Sequence, residues 1–550
     1  MTSAEIVTSR TAEEGRSTPL GIWLVLLKHH LRLIAPSGMI WIIGLVLTAS
    51  VVAGVWIDTF PTEQERLALA QSIEGNPAFE AMFGKAIQIH TIEGFTLWRA
   101  GGPLFPAIVI WGMLAATRLA RGDEDRGHDE LLLGGVLSRR ALFLSALVTP
   151  LIFAVAYTIL TVVALMAISD ISASGAIRFA CGMAGGFTFF AALGALLVQL
   201  TPSRSSAVRI GLGVIGAALA IRILSVLEQM PEWLPWLTPF GWFTEIGTIE
   251  VGSNLPFLLF GAGTLVLAGV ATTLAQQREI HGSLLLGDQE TAGPQPPYKS
   301  LWWHEVQQSR PAVIGFSLVG VLLTGIFGMV ANDFAEFIVD FPAFAAFLGE
   351  FGLSDPGDPS AYIGLIITML VLVPALFAAG HVAAIREEEA TGRLTVLLIL
   401  PLERHRWLIT NVLVGLAGIV IISLLVGFSA MIGTSITGTM LAPADALSAG
   451  LNLIPIAVLF TGLGVLIFGI YPQLTGPLLY TVLLTSFLLV LLDAFLDIPG
   501  WLITLSPFEH QPMVPGEAAN LTVSAIFLVL GVAGVIIGAI AFRRRDMMMD

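Results

Sequence analysis

The chain has 550 residues, of which 55% are apolar and only 12% charged, and its mean hydropathy is +0.86. A soluble domain carries about 25% charged residues, so these values exclude a soluble enzyme, a disordered chain and a collagenous or disulfide-built scaffold. The net charge of −14 argues against nucleic acid as a partner, and the single cysteine, Cys181, excludes an internal disulfide or a multi-cysteine zinc site.

A helix needs about 20 apolar residues to cross a bilayer. After a polar tail, residues 20–34 are apolar but interrupted by Lys28, His29, His30 and Arg32, which reads as an amphipathic helix lying in the interface. Windows free of charge then run over 39–57, 100–117, 141–169 and 179–203. The fifth candidate, 210–226, contains Arg222, and the sixth is 251–277. Residues 279–300, with Gly287, Gly293, Pro294, Pro296 and Pro297, read as a cytoplasmic linker. Leu301, Trp302 and Trp303 open a second interfacial piece, since Trp anchors at the headgroup level. Spans resume at 312–331, 359–385 and 407–444. The window 446–492 holds two spans that turn near Pro472, and the last span is 518–542. The sum is twelve.

Positive residues orient these spans. Arginines cluster after the second span (Arg118, Arg121, Arg126, Arg139, Arg140), after the eighth (Arg386, Arg393, Arg404, Arg406) and after the twelfth (Arg543, Arg544, Arg545). These ends are expected in the cytoplasm, with both termini.

The chain repeats itself. Pro77-Ala78-Phe79 returns as Pro342-Ala343-Phe344, a shift of 265 residues. At that shift Arg121, Glu124, Gly127, Leu132, Leu133, Leu137 and Arg139 fall on Arg386, Glu389, Gly392, Leu397, Leu398, Leu402 and Arg404. Trp233, Leu234, Leu237, Pro239 and Phe240 return at a shift of 268, and Pro202 returns as Pro472 at 270. The fold class expected is an all-α polytopic membrane protein with two parallel six-helix repeats. Residues 1–278 form the first repeat with its interfacial helix, 279–299 the linker and 300–550 the second repeat.

The segment after spans two and eight carries the strongest signal. It starts acidic, at Glu124 and Glu389, passes Gly127 and Gly392, and becomes apolar at Leu131-Leu132 and Val396-Leu397. Carboxylates suit the positive end of a helix, and the apolar run gives that helix a docking face. A solvated connecting helix would carry such a pattern once; its return in both halves assigns it a role. Residues 58–99 and 332–360 are longer than plain connections need. Short helices that re-enter the outer leaflet are expected there, with Phe79, Phe83, Phe344 and Phe347 as an apolar outer gate; ordinary surface helices are the competing reading.

Glu-x-x-Gly followed by a Leu-rich run, a small turn and Arg resembles the coupling segment of type-two ABC export permeases. The Ser/Thr-Pro-Phe near the outer end of span five and the Arg544-Arg545-Asp546 ending resemble that class too. The tandem twelve-span chain is most similar to the tetronasin-type antibiotic exporters of that superfamily. The resemblance implies a permease that docks Glu124, Gly127, Leu131, Leu132, Glu389, Gly392, Val396 and Leu397 against two copies of a cytoplasmic ATPase. ATP and Mg would be bound there, with no cofactor and no metal on this chain. Half one carries extra charges at Asp125, Asp129 and Glu130, which leaves the equality of the two segments open.

No GxxxxGK[ST], HExxH or GxSxG occurs, so the chain is not expected to be an enzyme. Gly211-Leu-Gly213-Val-Ile-Gly216 lies within a span and reads as close helix packing, as does Gly534-x-x-x-Gly538. His381 reads as a packing residue. The spans hold almost no charge besides Arg222, near Glu228. Phe187, Phe190 and Arg222 are candidates for a substrate pathway, with core packing or local pairing as the competing readings. The expected cargo is a lipophilic antibiotic or drug, exported across a bacterial plasma (inner) membrane. A lipid or glycolipid exporter and an ion-coupled secondary transporter stay open as alternatives.

Overall fold

Apolar runs in lipid must satisfy their backbone internally, and helices do so within one segment. The computed structural model describes residues 19–75, 77–122, 124, 139–168, 171–201, 203–226, 230–248, 250–278, 300–340, 358–390, 392–399, 402–436, 438, 441–493 and 499–545. Among these residues, twelve helices are long and apolar enough to cross a membrane. Two compact units divide between residues 295 and 296, and each holds six of the candidate spans.

The first unit contains α1 (Pro19–Thr59), α2 (Glu63–Ile73), α3 (Pro77–Phe83), α4 (Ile92–Arg99), α5 (Gly101–Arg121), α6 (Arg139–Ile168), α7 (Ala173–Leu200), α8 (Arg204–Leu224), α9 (Pro239–Thr244) and α10 (Leu255–Gln277). Helix α1 differs from the expectation of a separate interfacial helix, because it runs unbroken through that segment. Pro36 sits inside it, and Ser37 donates its hydroxyl proton to the Ile34 carbonyl (3.0 Å). Its 41 residues, at about 1.5 Å each, outreach a bilayer crossing, so Lys28, His29 and Arg32 lie exposed on the end of a long span.

The interior of this unit is aromatic. Phe105 stacks on Phe243 at 4.3 Å and meets Phe240 edge-on at 5.2 Å. Trp111 lies 4.5 Å from Phe187 and 6.1 Å from Trp41. Helices α5 and α7 approach so closely that a Cβ on Gly112 would strike the Phe187 carbonyl.

The second unit contains α11 (Leu301–Met329), α12 (Ala331–Asp340), α13 (Pro359–Met369), α14 (Leu372–Ala390), α15 (Arg393–Leu397), α16 (Arg404–Ile436), α17 (Pro443–Asn452), α18 (Ile454–Ile470), α19 (Thr475–Asp493), α20 (Gly500–Ile503) and α21 (Leu521–Arg544). Helix α11 absorbs Trp302 and Trp303, again as the exposed start of a long span. The eighth span breaks between α13 and α14. Pro374 brings no N–H for the Leu370 carbonyl, which accepts from Val373 N instead (2.9 Å). Helices α18 and α21 pack backbone to backbone. A Cβ on Gly534 or Gly538 would meet the carbonyls of Gly462 or Val465, so the packing reading of that motif is what the structure contains. In α8 only Gly211 packs, against Met113; Gly213 and Gly216 face open space.

Candidate functional site

Each unit ends its last span on an arginine that turns back to a buried glutamate. Arg278, the residue after α10, pairs with Glu124, the carboxylate that follows α5. Arg545, the residue after α21, donates two parallel bonds to Glu389 near the end of α14, Nη1 to Oε1 and Nη2 to Oε2, each 2.6 Å. The glutamates are 4% and 3% exposed. Both are therefore internal anchors rather than the solvated helix starts their acidic surroundings suggest.

The two sites also share a carbonyl contact. Arg121 Nη1 donates to Val198 O (3.0 Å), and Arg545 Nη2 reaches Phe468 O (3.4 Å). Arg121 backs Glu124 from 4.0 Å. Arg545 lies over the rings of Phe468 and Phe542, 5.0 and 5.1 Å from their centroids. A planar guanidinium suits both tasks, since its fork matches a carboxylate and its face stacks on aromatics. Removing one member of such a buried pair costs about 3–5 kcal/mol, because the other charge is stranded.

The glycine of the motif has its own reason. Gly392 adopts φ +73° and its N–H donates to Glu389 O (3.0 Å). That left-handed turn stops α14 and starts α15. Leu394 in α15 is buried and Leu397 half-buried, whereas Ile399, just past its end, is 81% exposed. No sequence pattern singled out Ile399; its exposure follows only from where α15 stops. Gly127, Leu131 and Leu132 lie outside the described residues, as does the Val396 side chain.

In the first unit's α3–α4 region, Phe79 and Phe83 are buried against Trp98 at 6.2 and 4.9 Å. Trp98 Nε1 donates to Gly84 O (2.9 Å). Arg222, at the end of α8, is buried and donates Nη1 to Ala81 O (2.6 Å), tying α3 to a span. Gly84, at φ +100°, has no room for a side chain beside that guanidinium. Burial holds the Glu80 carboxyl above its ordinary value, against the pull of Lys85 and Arg222. Phe344 and Phe347 lie outside the described residues, and so does Glu228. Phe187 and Phe190 are fully buried among the aromatics of the first unit.

Arg222 is not nearly alone as a buried charge. Glu305 and Glu388 are also buried, near the start of α11 and the end of α14. The windows read from sequence began after Glu305 and stopped before Glu388, so neither counted as part of a span.

The sequence profile of the family described as "Multidrug efflux system permease Rv1217c, C-terminal domain" matches residues 27–274 and 304–543. Over 533 residues the chain is 27% identical to the multidrug efflux system permease protein Rv1217c of Mycobacterium tuberculosis, covering 95% of each.

Proposed function

The chain belongs to the family of the multidrug efflux system permease Rv1217c, and from that premise we propose that it is the permease subunit of an ABC exporter for lipophilic drugs or antibiotics. Its two units act as parallel six-helix repeats in a bacterial inner membrane, with both termini in the cytoplasm. Two copies of a separate ATPase bind ATP and Mg and dock at the segments that follow Glu124 and Glu389.

The observation that carries this reading is the Glu–Arg anchor that occurs once in each unit immediately before the apolar run. An anchor joining the second span of a unit to the end of its sixth makes the two move together. A push on the docking segment then displaces a pair of spans instead of bending a loose connection. Exposed Ile399 offers the apolar contact such docking requires. The cargo reading rests on composition: the spans offer Phe, Leu, Ile and Met, which bind by apolar burial at about 25 cal/mol per Å².

Reconstitution with the partner ATPase is the test. Hydrophobic antibiotics are expected to stimulate ATP hydrolysis and small sugars or amino acids are not, while the chain alone hydrolyses nothing. Full transport by the chain alone on a proton gradient would establish the ion-coupled alternative, which the buried carboxylates Glu305 and Glu388 favour.

A further inference from the structure

The second unit contains a cavity of about 190 Å³ enclosed by α11, α14 and α16. Glu305, Phe316, Phe377, His381 and Asn411 line it. Glu305 is 0% exposed, and neither of its carboxylate oxygens is hydrogen-bonded. Asn411 stands beside it, with its amide turned to the Trp407 carbonyl (3.4 Å). Glu388, also buried and with one oxygen unbonded, is close enough to repel Glu305. Two neighbouring buried carboxylates are costly in a protein interior unless a proton or another positive charge joins them.

The lining says which cation. His381 Nε2 donates to the Asn411 carbonyl (2.9 Å), and its ring lies against Gly415, where a Cβ would collide with it. Phe377 stacks on that imidazole at 5.8 Å and meets Phe316 edge-on at 5.8 Å. Aromatic faces beside carboxylates suit an organic ammonium, which sheds its water easily and is attracted to ring faces. A hard metal ion would want more oxygen ligands, and among the described residues no group of three His, Cys, Asp or Glu side chains could hold one. Exposed Gln308, Ala312 and Ala384 form the mouth. Glu305 lies two residues past Trp303, the exposed tryptophan at the headgroup-level end of α11. The ammonium of a membrane-bound amine sits at that same depth, with its tail along the lipid.

We infer that the cavity lined by Glu305, Phe316, Phe377 and His381, with Glu388 buried near Glu305, is a binding site for monovalent lipophilic amines, which it receives from the membrane. The first unit lacks the acid. His30 stands six residues before Pro36, as Glu305 stands six before Pro311, and it is hydrogen-bonded to Ser145 (3.1 Å). The identification of the bound amine as cargo rests on the export reading; the binding itself does not.

The test uses the full chain in lipid nanodiscs, without ATPase or nucleotide, so that failure of this proposal is distinguishable from failure of the export reading. Binding of radiolabelled benzyltrimethylammonium is measured by equilibrium dialysis, with neopentylbenzene as its uncharged isostere. Saturable binding is expected, with little competition from the isostere. Glu305→Gln/Glu388→Gln should weaken it at least tenfold without lowering the melting temperature, since the change preserves shape and removes repulsion. Ala384→Trp keeps both carboxylates but blocks the mouth, and should abolish binding in a folded protein. Equal competition by the isostere, or unchanged affinity in the double variant, overturns the proposal.

Discussion

The two units place different side chains at matching points, and the differences separate scaffold from specialisation. At the anchor they agree in kind: a buried glutamate at the end of the second span or just past it meets an arginine after the sixth. They differ in geometry, because Glu124 has Arg121 at 4.0 Å as well as Arg278, whereas Arg545 holds Glu389 by two parallel bonds. Beside Pro36 and Pro311 they differ in charge. His30 is satisfied by a hydroxyl, and Glu305 lines a cavity and has a second buried acid, Glu388, near it. An element kept in both units serves what both must do, and an acid present in one serves a task only that unit has.

Breaking the anchors should give the largest effects. Arg545→Ala removes both parallel bonds to the buried Glu389 and is expected to cost about 3–5 kcal/mol, read as a lower melting temperature and poor recovery of folded protein. Arg278→Ala should cost less, about 2 kcal/mol, because Arg121 remains to face Glu124. Equal losses at the two positions would show that Arg121 shares none of the load.

Next is the tie between α3 and α8 in the first unit. Arg222→Ala leaves the Ala81 carbonyl without its guanidinium, and about 1–3 kcal/mol of local stability should go with it. Limited proteolysis between residues 60 and 91 should accelerate while the spans stay protected. If cleavage is unchanged, the aromatic contacts of Phe79 and Phe83 with Trp98 hold α3 by themselves.

The comparison explains what the sequence made legible. Twelve spans were readable because a charge-free window admits one reading in lipid; even the turn at Pro472 falls where α18 gives way to α19. The repeat pointed to Glu124 and Glu389 but not to their partners, which lie 154 and 156 residues further along the chain. Only the folded unit brings such ends together. Charge also misled at the span ends. The acidic start at Glu389 belongs to a run of three glutamates, yet on α14 only Glu387 is exposed, because successive residues of a helix point to different sides. The same rotation buries Glu305 while Trp303 stays outside.

The smallest expected effect is on pH. Glu80 has a folded pKa above its unfolded value, chiefly through burial. The folded state then binds its proton more tightly, so this contribution to stability is complete below the unfolded pKa and lost as pH rises through the folded one. The melting temperature of the native chain should therefore fall relative to Glu80→Gln as pH climbs from 4 toward neutrality. A difference that does not change with pH would mean that Lys85 and Arg222 cancel the burial.

The claim that the anchors transmit motion is tested most directly by exchanging one of them. In the chain reconstituted with its ATPase, drug-stimulated hydrolysis and transport would be measured for Glu389→Arg, for Arg545→Glu and for the two together, each normalised to folded protein. Both single variants should lose stimulation by tenfold or more, and the exchanged pair should recover a large part of it. Single variants that fold and transport like the native chain would contradict the account.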